Sequence, residues 1–344
     1  MTNTATRRPT DQLIYEPPSP EKRAPVNTTA FARRRTLAAA LMAVALTGAA
    51  AVPAVASAAH REAPGRDRAA EISSAGYGDS ARLGYQKAVA VQLLKGVFER
   101  GDASVVDRFV RPDYIQHNPL APDGAEALKY FGALQRQQYP DLRYDIKRVI
   151  SEGDLVLVHS NIVLTPGTRG VAAFDIFRFQ GGKIAEHWDV LQAVPATTAN
   201  GNDMFSTVSR PRTEAPGPAW RTAYNKKLVT AFFDRLLVKK DPSAVDAYVG
   251  PECDQHSPNV PDGVAGLKAG AAAFGAQVPQ LRVTPKRIIA EGDLVAVHSN
   301  YVLTPGTRGQ AVVDLFRVRG GRIVEHWDAV QDVPETSAND NTMF

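Results

Sequence analysis

Apolar residues between positions 85 and 100 recur at intervals of three and four, the spacing that places side chains on one face of a helix. This stripe consists of Ala88, Val91, Leu94, Val97 and Phe98. A second, short apolar stretch stops before Pro112, and a third begins after Asp123 and Gly124. The pattern predicts three helices, Tyr85–Arg100, Val105–Val110 and Ala125–Gln138.

Beyond Pro140 the apolar residues alternate with polar ones, which is the period of a β-strand. Glu-Gly-Asp, Pro-Gly-Thr and Gly-Gly turns separate the alternating stretches and are typical of hairpins. Four strands are predicted, Leu142–Ile150, Leu155–Leu164, Val171–Phe179 and Lys183–Leu191. Helices first and an antiparallel meander afterwards favour an α+β domain, with three helices packed on one face of a curved sheet.

The whole pattern occurs twice along the chain. With a shift of 139 positions, residues 85–205 align with 224–344 without a gap, and about half of the positions are identical. Two of the shared blocks are Thr-Pro-Gly-Thr-Arg-Gly, at 165–170 and 304–309, and Glu-His-Trp-Asp, at 186–189 and 325–328. A gapless match of this length indicates a duplicated domain, and two copies of so long a unit do not make a solenoid. We refer to the copies as repeat 1 and repeat 2.

The N-terminal part has a different pattern. Three arginines at 33–35 precede an uncharged, Ala-rich run from 37 to about 55, and Ala56-Ser57-Ala58 then matches the A-x-A pattern of signal-peptide cleavage. We predict a signal peptide over residues 1–58, of the type that the twin-arginine export route recognises. The mature chain is predicted to be secreted and to begin near Ala59. A single uncleaved anchor is the alternative. The polar residues 59–84 and the proline-containing residues 206–223 are predicted linkers, and 85–205 and 224–344 are the predicted domains.

The net charge of +4 reflects this leader. Seven Lys or Arg and three acidic residues fall within residues 1–58, which leaves 33 of each sign in the rest of the chain. A near-neutral mature chain lacks the excess of positive charge that is typical of nucleic-acid-binding proteins, so we expect no nucleic-acid partner. We also expect no stable membrane association after cleavage. The lone cysteine, Cys253, excludes an intramolecular disulfide and a cysteine-based zinc cluster.

One stretch of repeat 1 resembles a known family. The runs Phe174–Phe179 and Gly181–Asp189, with their Glu-His-Trp-Asp ending, are similar to the SnoaL-like polyketide cyclases of the nuclear-transport-factor-2-like superfamily, and the likeness extends over both repeats. The resemblance implies two cone-shaped α+β domains, each with three helices on a curved antiparallel sheet. It also implies chemistry without metal or cofactor, in which an Asp on a late strand removes a proton next to a carbonyl and returns it to the new alkoxide.

Ionisable residues on the predicted strands are the candidates for this chemistry, because a buried charge costs energy unless it is paired or used. The catalytic candidates are Asp189, Asp328, His187, His326, Asp175 and Asp314. By the resemblance, Asp189 and Asp328 are the acid–base residues. In an apolar pocket desolvation would raise the pKa of such a carboxylate. His187 and His326, two positions before these aspartates, would orient the acid. Asp175 and Asp314 would each be the second carboxylate of an acid–base pair. The substrate-binding candidates are His117, His256, His159, His298, Trp188 and Trp327, the histidines as donors to an enolate oxygen.

Other roles remain open for the same residues. Two copies share residues through descent, so the pairing is not independent evidence of use, and Glu-His-Trp-Asp could form a strip at an interface between sheets. The tryptophans could be core anchors, and His159 and His298 could be satisfied core histidines. Three His and two Asp per repeat could also supply metal ligands, but no His-x-His or His-x-x-x-His spacing supports a metal site, and we predict none.

Two functional hypotheses follow. The first is a metal-independent, cofactor-independent cyclase, aldol-type lyase or isomerase that acts on a small carbonyl-bearing hydrophobic molecule. The second is a secreted binding module that holds an apolar ligand without turning it over. Since helices cover one face of each sheet, we expect the repeats to pair through the other face as an intramolecular pseudo-dimer.

Overall fold

The computed structural model of the chain describes residues 79–209 and 218–344. The predicted signal peptide, residues 1–58, lies outside the described residues, as do most of the first predicted linker and part of the second. Within the described residues, no helix combines the length and the apolar character needed to cross a membrane.

Repeat 1 contains three α-helices and five strands among its described residues, and its first helix continues into a wider π-helical turn at Lys95–Arg100. The helices are α1 (Asp79–Leu94), α2 (Ser104–Phe109) and α3 (Ala125–Gln138). The strands are β1 (Val110–Gln116), β2 (Arg143–Glu152), β3 (Leu155–Val163), β4 (Val171–Gln180) and β5 (Lys183–Ala193).

Repeat 2 follows the same order, with the π-helical turn at Asp234–Val238. Its helices are α4 (Ala219–Phe233), α5 (Ser243–Tyr248) and α6 (Gly263–Gln277). Its strands are β6 (Val249–Gln255), β7 (Arg282–Glu291), β8 (Leu294–Val302), β9 (Gln310–Arg319) and β10 (Arg322–Asp332). The predicted α+β fold in tandem is confirmed.

The sequence pattern predicts four strands in each repeat, and the structure contains a fifth. The strand order is β1-β5-β4-β3-β2 in repeat 1 and β6-β10-β9-β8-β7 in repeat 2, and β1 and β6 join their sheets in the parallel direction. Each sheet is therefore antiparallel except at this one edge. Alternation does not reveal β1 because its register shifts between Val110 and Ile115 and it contains Pro112, which an edge strand tolerates.

The two faces of each sheet are buried against different parts of the chain. The three helices of a repeat cover one face and enclose an apolar core of their own in repeat 1 and in repeat 2. The other face belongs to a third apolar cluster that contains residues of both repeats. Its members are Ile150, Leu157, Phe174, Ile176, Trp188, Val190, Ile289, Leu294, Ala296, Ala311, Val313, Leu315, Trp327, Ala329 and Met343. The helix-free sheet faces thus share one core in this structure.

Candidate functional site

Three of the catalytic candidates meet on the helix-covered face of the sheet in repeat 1. Asp175 on β4 and Asp189 on β5 are directly opposed across the strand pair, and His187 lies two residues before Asp189 on the same face. All three side chains are buried, and their potential ligand atoms lie within 4.8 Å of one another. The alternation of the strands therefore brings two carboxyl groups and one imidazole together.

Hydrogen bonds determine which nitrogen of His187 carries a proton. The backbone N–H of Asn118 donates to Gln116 Oε1 at 2.9 Å, which assigns this atom as the amide oxygen. His187 Nδ1, at 2.8 Å from the same oxygen, must therefore donate. His187 Nε2 lies 3.1 Å from Asp175 Oδ1, so one proton is shared between this imidazole and this carboxyl group. The ring also stacks on Phe177, with centroids 4.8 Å apart.

Asp189 has one satisfied and one unsatisfied oxygen. Asn118 Nδ2 donates to Asp189 Oδ2 at 2.6 Å, and the Asn118 amide is oriented by the Leu120 N–H, which donates to its Oδ1 at 2.8 Å. Asp189 Oδ1 is buried without a partner among the described residues, as is Asp175 Oδ2. Burial raises the pKa of Asp189 to about 6; His187 and Asn118 oppose the rise and the charge of Asp175 adds to it. Asp189 can therefore take and return a proton near neutral pH.

Both aspartates line a cavity of about 50 Å³ between the sheet and the helices of repeat 1. Most of its lining is apolar: Leu93, Leu94, Phe98, Leu128, Phe131, Leu142, Ile162, Leu164, Phe177 and Leu191. The phenols of Tyr114 and Tyr144 also line it. Burial, and then the charges of Asp175 and Asp189, raise the pKa of both tyrosines well above the usual value, so both keep their protons as hydrogen-bond donors.

Repeat 2 contains the same central set with different surroundings. His326 Nδ1 lies 2.9 Å from Gln255 Oε1, and His326 Nε2 lies 3.0 Å from Asp314 Oδ1. Burial opposes the charge on His326, but its bond to Asp314 raises its pKa on balance. Burial raises the pKa of Asp328 to about 6, as it does for its counterpart in repeat 1. Here, however, the Tyr301 hydroxyl donates to Asp314 Oδ2 at 3.1 Å.

The other histidine candidates lie outside the lining of this cavity. His117 Nε2 is 2.8 Å from Glu186 Oε1, and its Nδ1 donates to the backbone carbonyl of Thr342. Burial opposes ionisation of Glu186, but its bonds to His117 and Arg178 lower its pKa on balance, so Glu186 is a carboxylate. His256 repeats this arrangement with Glu325, at 3.1 Å.

His159 and His298 lie on the opposite face of their sheets from the aspartates. Burial, and then the charge of Arg148, hold the pKa of His159 well below its usual range. Burial lowers the pKa of His298 to about 3, and Arg287 adds to the effect. Each imidazole is therefore neutral and accepts a hydrogen bond at Nδ1 from its arginine, at 3.1 and 3.2 Å.

The tryptophan candidates lie in the apolar cluster between the repeats. The Trp188 ring stacks on His117 of its own repeat, with centroids 4.7 Å apart, and the guanidinium of Arg287 from repeat 2 lies 3.5 Å from its centroid. Trp327 is enclosed in the same way by His256, at 5.0 Å, and by Arg148 of repeat 1, at 3.9 Å. The six predicted substrate-binding residues thus surround the contact between the repeats, whereas the six predicted catalytic residues form two acid–imidazole–acid sets.

The cavity lining also contains polar residues that were not among the sequence-based candidates, among them Tyr114, Gln116, Asn118 and Tyr144. Tyr114, Gln116 and Asn118 alternate along β1 and the residues that follow it, and all three reach the cavity. The alternation of these polar side chains is the signal that recognition of β1 as a strand would have provided. Tyr144, on β2, carries no comparable signal because a buried tyrosine in a strand is commonly a core residue.

The Asp175, His187 and Asp189 set, and its equivalent in repeat 2, could hold a metal ion by proximity. In this arrangement His187 Nε2 and Asp175 Oδ1 share a proton, which an ion bound by the imidazole would have to displace. The hydrogen bonds present are those of a proton-transfer set.

Comparison with solved structures finds matches that each cover about a third of this chain. An NTF2-like protein of unknown function from Mesorhizobium loti is 24% identical, with 34% of this chain and 98% of that chain covered and a TM-score of 0.30. TsrD from Streptomyces laurentii is 22% identical, with 31% of this chain and 88% of that chain covered and a TM-score of 0.27. A protein from Jannaschia sp. CCS1, provisionally named a SnoaL-like polyketide cyclase, is 20% identical, with 34% and 91% covered and a TM-score of 0.29.

Comparison with curated proteins and with family models gives different results. No curated protein matches the chain. The model of the SnoaL-like domain matches residues 90–187 and 229–326, once in each repeat and over more than half of the chain. The chain therefore belongs to the SnoaL-like domain family, with one domain of that family in each repeat.

Proposed function

We propose that repeat 1 is a metal-independent acid–base site, of the cyclase, aldol-type lyase or isomerase kind, for a small hydrophobic molecule that carries a carbonyl group. The observation that supports this most directly is that Asp189 lines a mostly apolar cavity and that its Oδ1 is buried without a partner among the described residues. A buried carboxylate oxygen costs free energy when left unpaired, and a role in proton transfer accounts for its retention.

The proposed reaction moves one proton out and back. Asp189 Oδ1 removes a proton from the carbon next to the substrate carbonyl, and the electron pair of that C–H bond moves towards the carbonyl oxygen. The phenols of Tyr114 and Tyr144 donate to the resulting enolate oxygen. For a ring closure, the enolate carbon then forms a bond to a second carbonyl carbon, and the alkoxide takes the proton back from Asp189. For an isomerisation, the proton returns to a different carbon.

Asp175 and His187 adjust the basicity of Asp189 in this scheme. Their shared proton keeps the pair net neutral, whichever of the two carries it, so the cavity contains one net negative charge when Asp189 is ionised. The Asn118 amide holds Asp189 Oδ2 so that Oδ1 is left for the substrate. The cavity of about 50 Å³ is smaller than the roughly 300–1,000 Å³ of typical ligand pockets, so substrate entry requires α3 or the residues after β1 to move outwards.

Exchange of carbonyl-adjacent protons tests this proposal without knowledge of the natural substrate. The full chain is incubated with α-tetralone in D₂O, and loss of the α-proton signal is followed by NMR between pH 4.5 and 8. Wild-type protein should accelerate exchange, with a rate that rises through about pH 6 as Asp189 ionises. Asp189→Asn should reduce the rate contributed by repeat 1 by at least about a hundredfold.

The alternative function is distinguished in the same experiment. A secreted binding module would show saturable α-tetralone binding, by line broadening of the ligand, with no accelerated exchange. An exchange rate unchanged in Asp189→Asn, and also in the double variant with Asp328→Asn, would overturn the assignment of the aspartates.

We also propose that the two repeats form an intramolecular pseudo-dimer in solution. Reciprocal contacts support this: Gln331 Oε1 accepts from the Leu191 N–H and Gln192 Oε1 from the Val330 N–H, both at 2.8 Å. Small-angle scattering should give one compact particle. An elongated particle with two separate lobes would contradict the pairing.

Export through the twin-arginine route is a separate proposal and rests on the sequence pattern of residues 33–58. N-terminal sequencing of protein recovered from outside the cytoplasm should begin near Ala59. A start upstream of residue 37 would refute it.

A further inference from the structure

The segment that follows the last strand of each repeat lies on the other repeat. We call residues 199–203 tail 1, residues 338–342 tail 2, residues 116–121 site loop 1 and residues 255–260 site loop 2. Tail 2 donates to the backbone of site loop 1 through Asn339 Nδ2, which bonds to the carbonyls of Asn118 and Ala121, both at 2.8 Å. Asn341 Nδ2 bonds to the carbonyl of Gln116 at 3.0 Å.

Tail 1 makes the equivalent contacts with repeat 2. Asn200 Nδ2 donates to the carbonyls of Ser257, at 2.7 Å, and Val260, at 2.9 Å. Asn202 Nδ2 donates to the carbonyl of Gln255 at 3.0 Å. Each set also includes one backbone hydrogen bond. The Ala338 N–H donates to the carbonyl of Pro119, and the Ala199 N–H donates to the carbonyl of Pro258. The exchange is therefore reciprocal, and each site loop is bonded to a tail from the opposite repeat.

Site loop 1 carries side chains that determine the state of the acid–base set. Gln116 Oε1 accepts from His187, and Asn118 Nδ2 donates to Asp189. Beyond the end of β1 the loop has little regular structure, and within it the Ala121 N–H donates to the Asn118 carbonyl at 3.2 Å. The side-chain amides of Asn339 and Asn341 donate to the carbonyls of Gln116, Asn118 and Ala121. Tail 2 therefore holds both Gln116 and Asn118 in place.

We propose that Asn339 and Asn341 are positioning residues for the site of repeat 1, and that Asn200 and Asn202 are positioning residues for the site of repeat 2. Each site is then incomplete without the other repeat, although no tail residue lies among the residues that line the cavity of repeat 1. This inference rests on the proposed function for its catalytic consequence. The effect on the aspartates can be measured independently.

The test compares two mirror-image double variants of the full chain, Asn339→Ala with Asn341→Ala and Asn200→Ala with Asn202→Ala. Carbon-13 NMR of the carboxyl groups gives the pKa of Asp189 and Asp328 in each. Loss of the two amides should loosen site loop 1 and weaken the bond from Asn118 to Asp189, and because that bond lowers the pKa of Asp189, this pKa should rise. Asp328 should be unchanged. A hydrogen bond from Ser257 of site loop 2 lowers the pKa of Asp328, so the mirror variant should raise the pKa of Asp328 and leave Asp189 unchanged.

Exchange of α-tetralone protons provides the second readout. The tail 2 variant should lower the turnover rate at saturating ligand by about tenfold or more with a small change in the half-saturation concentration, because the cavity lining itself is intact. Asn341→Gln, which keeps the donor, should recover part of the loss. If neither aspartate shifts, or if both shift equally in each variant, the tails are structural and the inference is wrong.

The carboxyl measurement separates the two proposals. A selective shift of one aspartate without any accelerated exchange in the wild-type chain would keep the positioning role and refute the catalytic one. If a double variant fails to fold, Asn339→Ala alone, compared with Asn200→Ala, provides the same contrast with one amide removed from each repeat.

Discussion

Repeats 1 and 2 place the same Asp–His–Asp set on equivalent strands, yet they differ in the side chains around it. Asp175 Oδ2 in repeat 1 has no partner among the described residues, whereas the equivalent oxygen of Asp314 accepts a hydrogen bond from Tyr301. Ile162 stands at the position of Tyr301 in repeat 1. The two repeats thus share the Asp–His–Asp set, whereas the side chains around it differ.

The helices over the two sites also pack differently. In repeat 1, a β-carbon on Gly132 would lie 2.2 Å from Val97 Cγ1, so the glycine allows α3 to approach the π-helical turn closely. Three residues of α3 are buried: Leu128, Gly132 and Gln135. Ala271 replaces the glycine in repeat 2, and α6 has no buried residue. Leu236 also replaces Val97, so two larger side chains stand where repeat 1 has a glycine and a valine.

The largest effect is expected from exchanging the residue that distinguishes the surroundings of the two Asp–His–Asp sets. Ile162→Tyr should place a phenol in the cavity of repeat 1, where it would fill much of about 50 Å³ and donate to Asp175 Oδ2. We expect the proton exchange contributed by repeat 1 to fall more than tenfold, measured with α-tetralone in a background of Asp328→Asn.

The reciprocal change, Tyr301→Ile, is the control. It removes a hydrogen bond to a carboxyl group and should destabilise the fold by about 1.5–3 kcal/mol, measured by urea unfolding. Wild-type exchange in the Ile162→Tyr variant would show that the residue at this position does not control the site.

A smaller effect is expected on stability and depends on pH. Because the pKa of Asp189 is about 6 in the folded chain and near 4 when unfolded, the folded state binds more protons in that window. Stability should therefore fall as the pH rises from about 4 to about 6. Asp189→Asn removes this cost, and should stabilise the protein at pH 7.5 by up to about 3 kcal/mol relative to wild type.

Urea unfolding at pH 4 and at pH 7.5 measures this difference. The gain from Asp189→Asn should be largely absent at pH 4, where wild-type Asp189 is protonated in the folded chain. Asp328→Asn should also stabilise the protein more at pH 7.5 than at pH 4, since burial also raises the pKa of Asp328 to about 6. A gain that is equal at both pH values would mean that charge burial is not its cause.

The smallest effect is expected at the helix contact. Gly132→Ala gains about 1 kcal/mol of helix propensity, but the added methyl group meets Val97 and should cost more than it gains, with a net loss of about 1 kcal/mol. Ala271→Gly loses helix propensity without relieving any close contact and should also destabilise, by about 1 kcal/mol. Thermal unfolding of both variants tests the comparison, and a raised melting temperature for Gly132→Ala would contradict it.

Local sequence patterns are sufficient to predict the tandem α+β organisation and to place the three candidate residues of repeat 1 on one sheet face. Four strands of each repeat show a period of two, and that period places Asp175, His187 and Asp189 on one face once the strands pair as a meander. It also leaves Trp188 on the other face, with Ile176. These conclusions needed only local information, because the direction of a side chain in a regular strand follows from its position along the chain.

Only the tertiary structure decided how the site is completed. β1 is irregular and contains Pro112, so its pairing with β5 depends on a partner about seventy residues away rather than on its own pattern. The positions of Gln116 and Asn118 in the cavity lining follow from this pairing, and their alternation becomes informative only once β1 is known to be a strand. The contact between Asn339 and site loop 1 joins residues more than two hundred positions apart. Such contacts depend on how the two sheets pack, and a local sequence period carries no information about that packing.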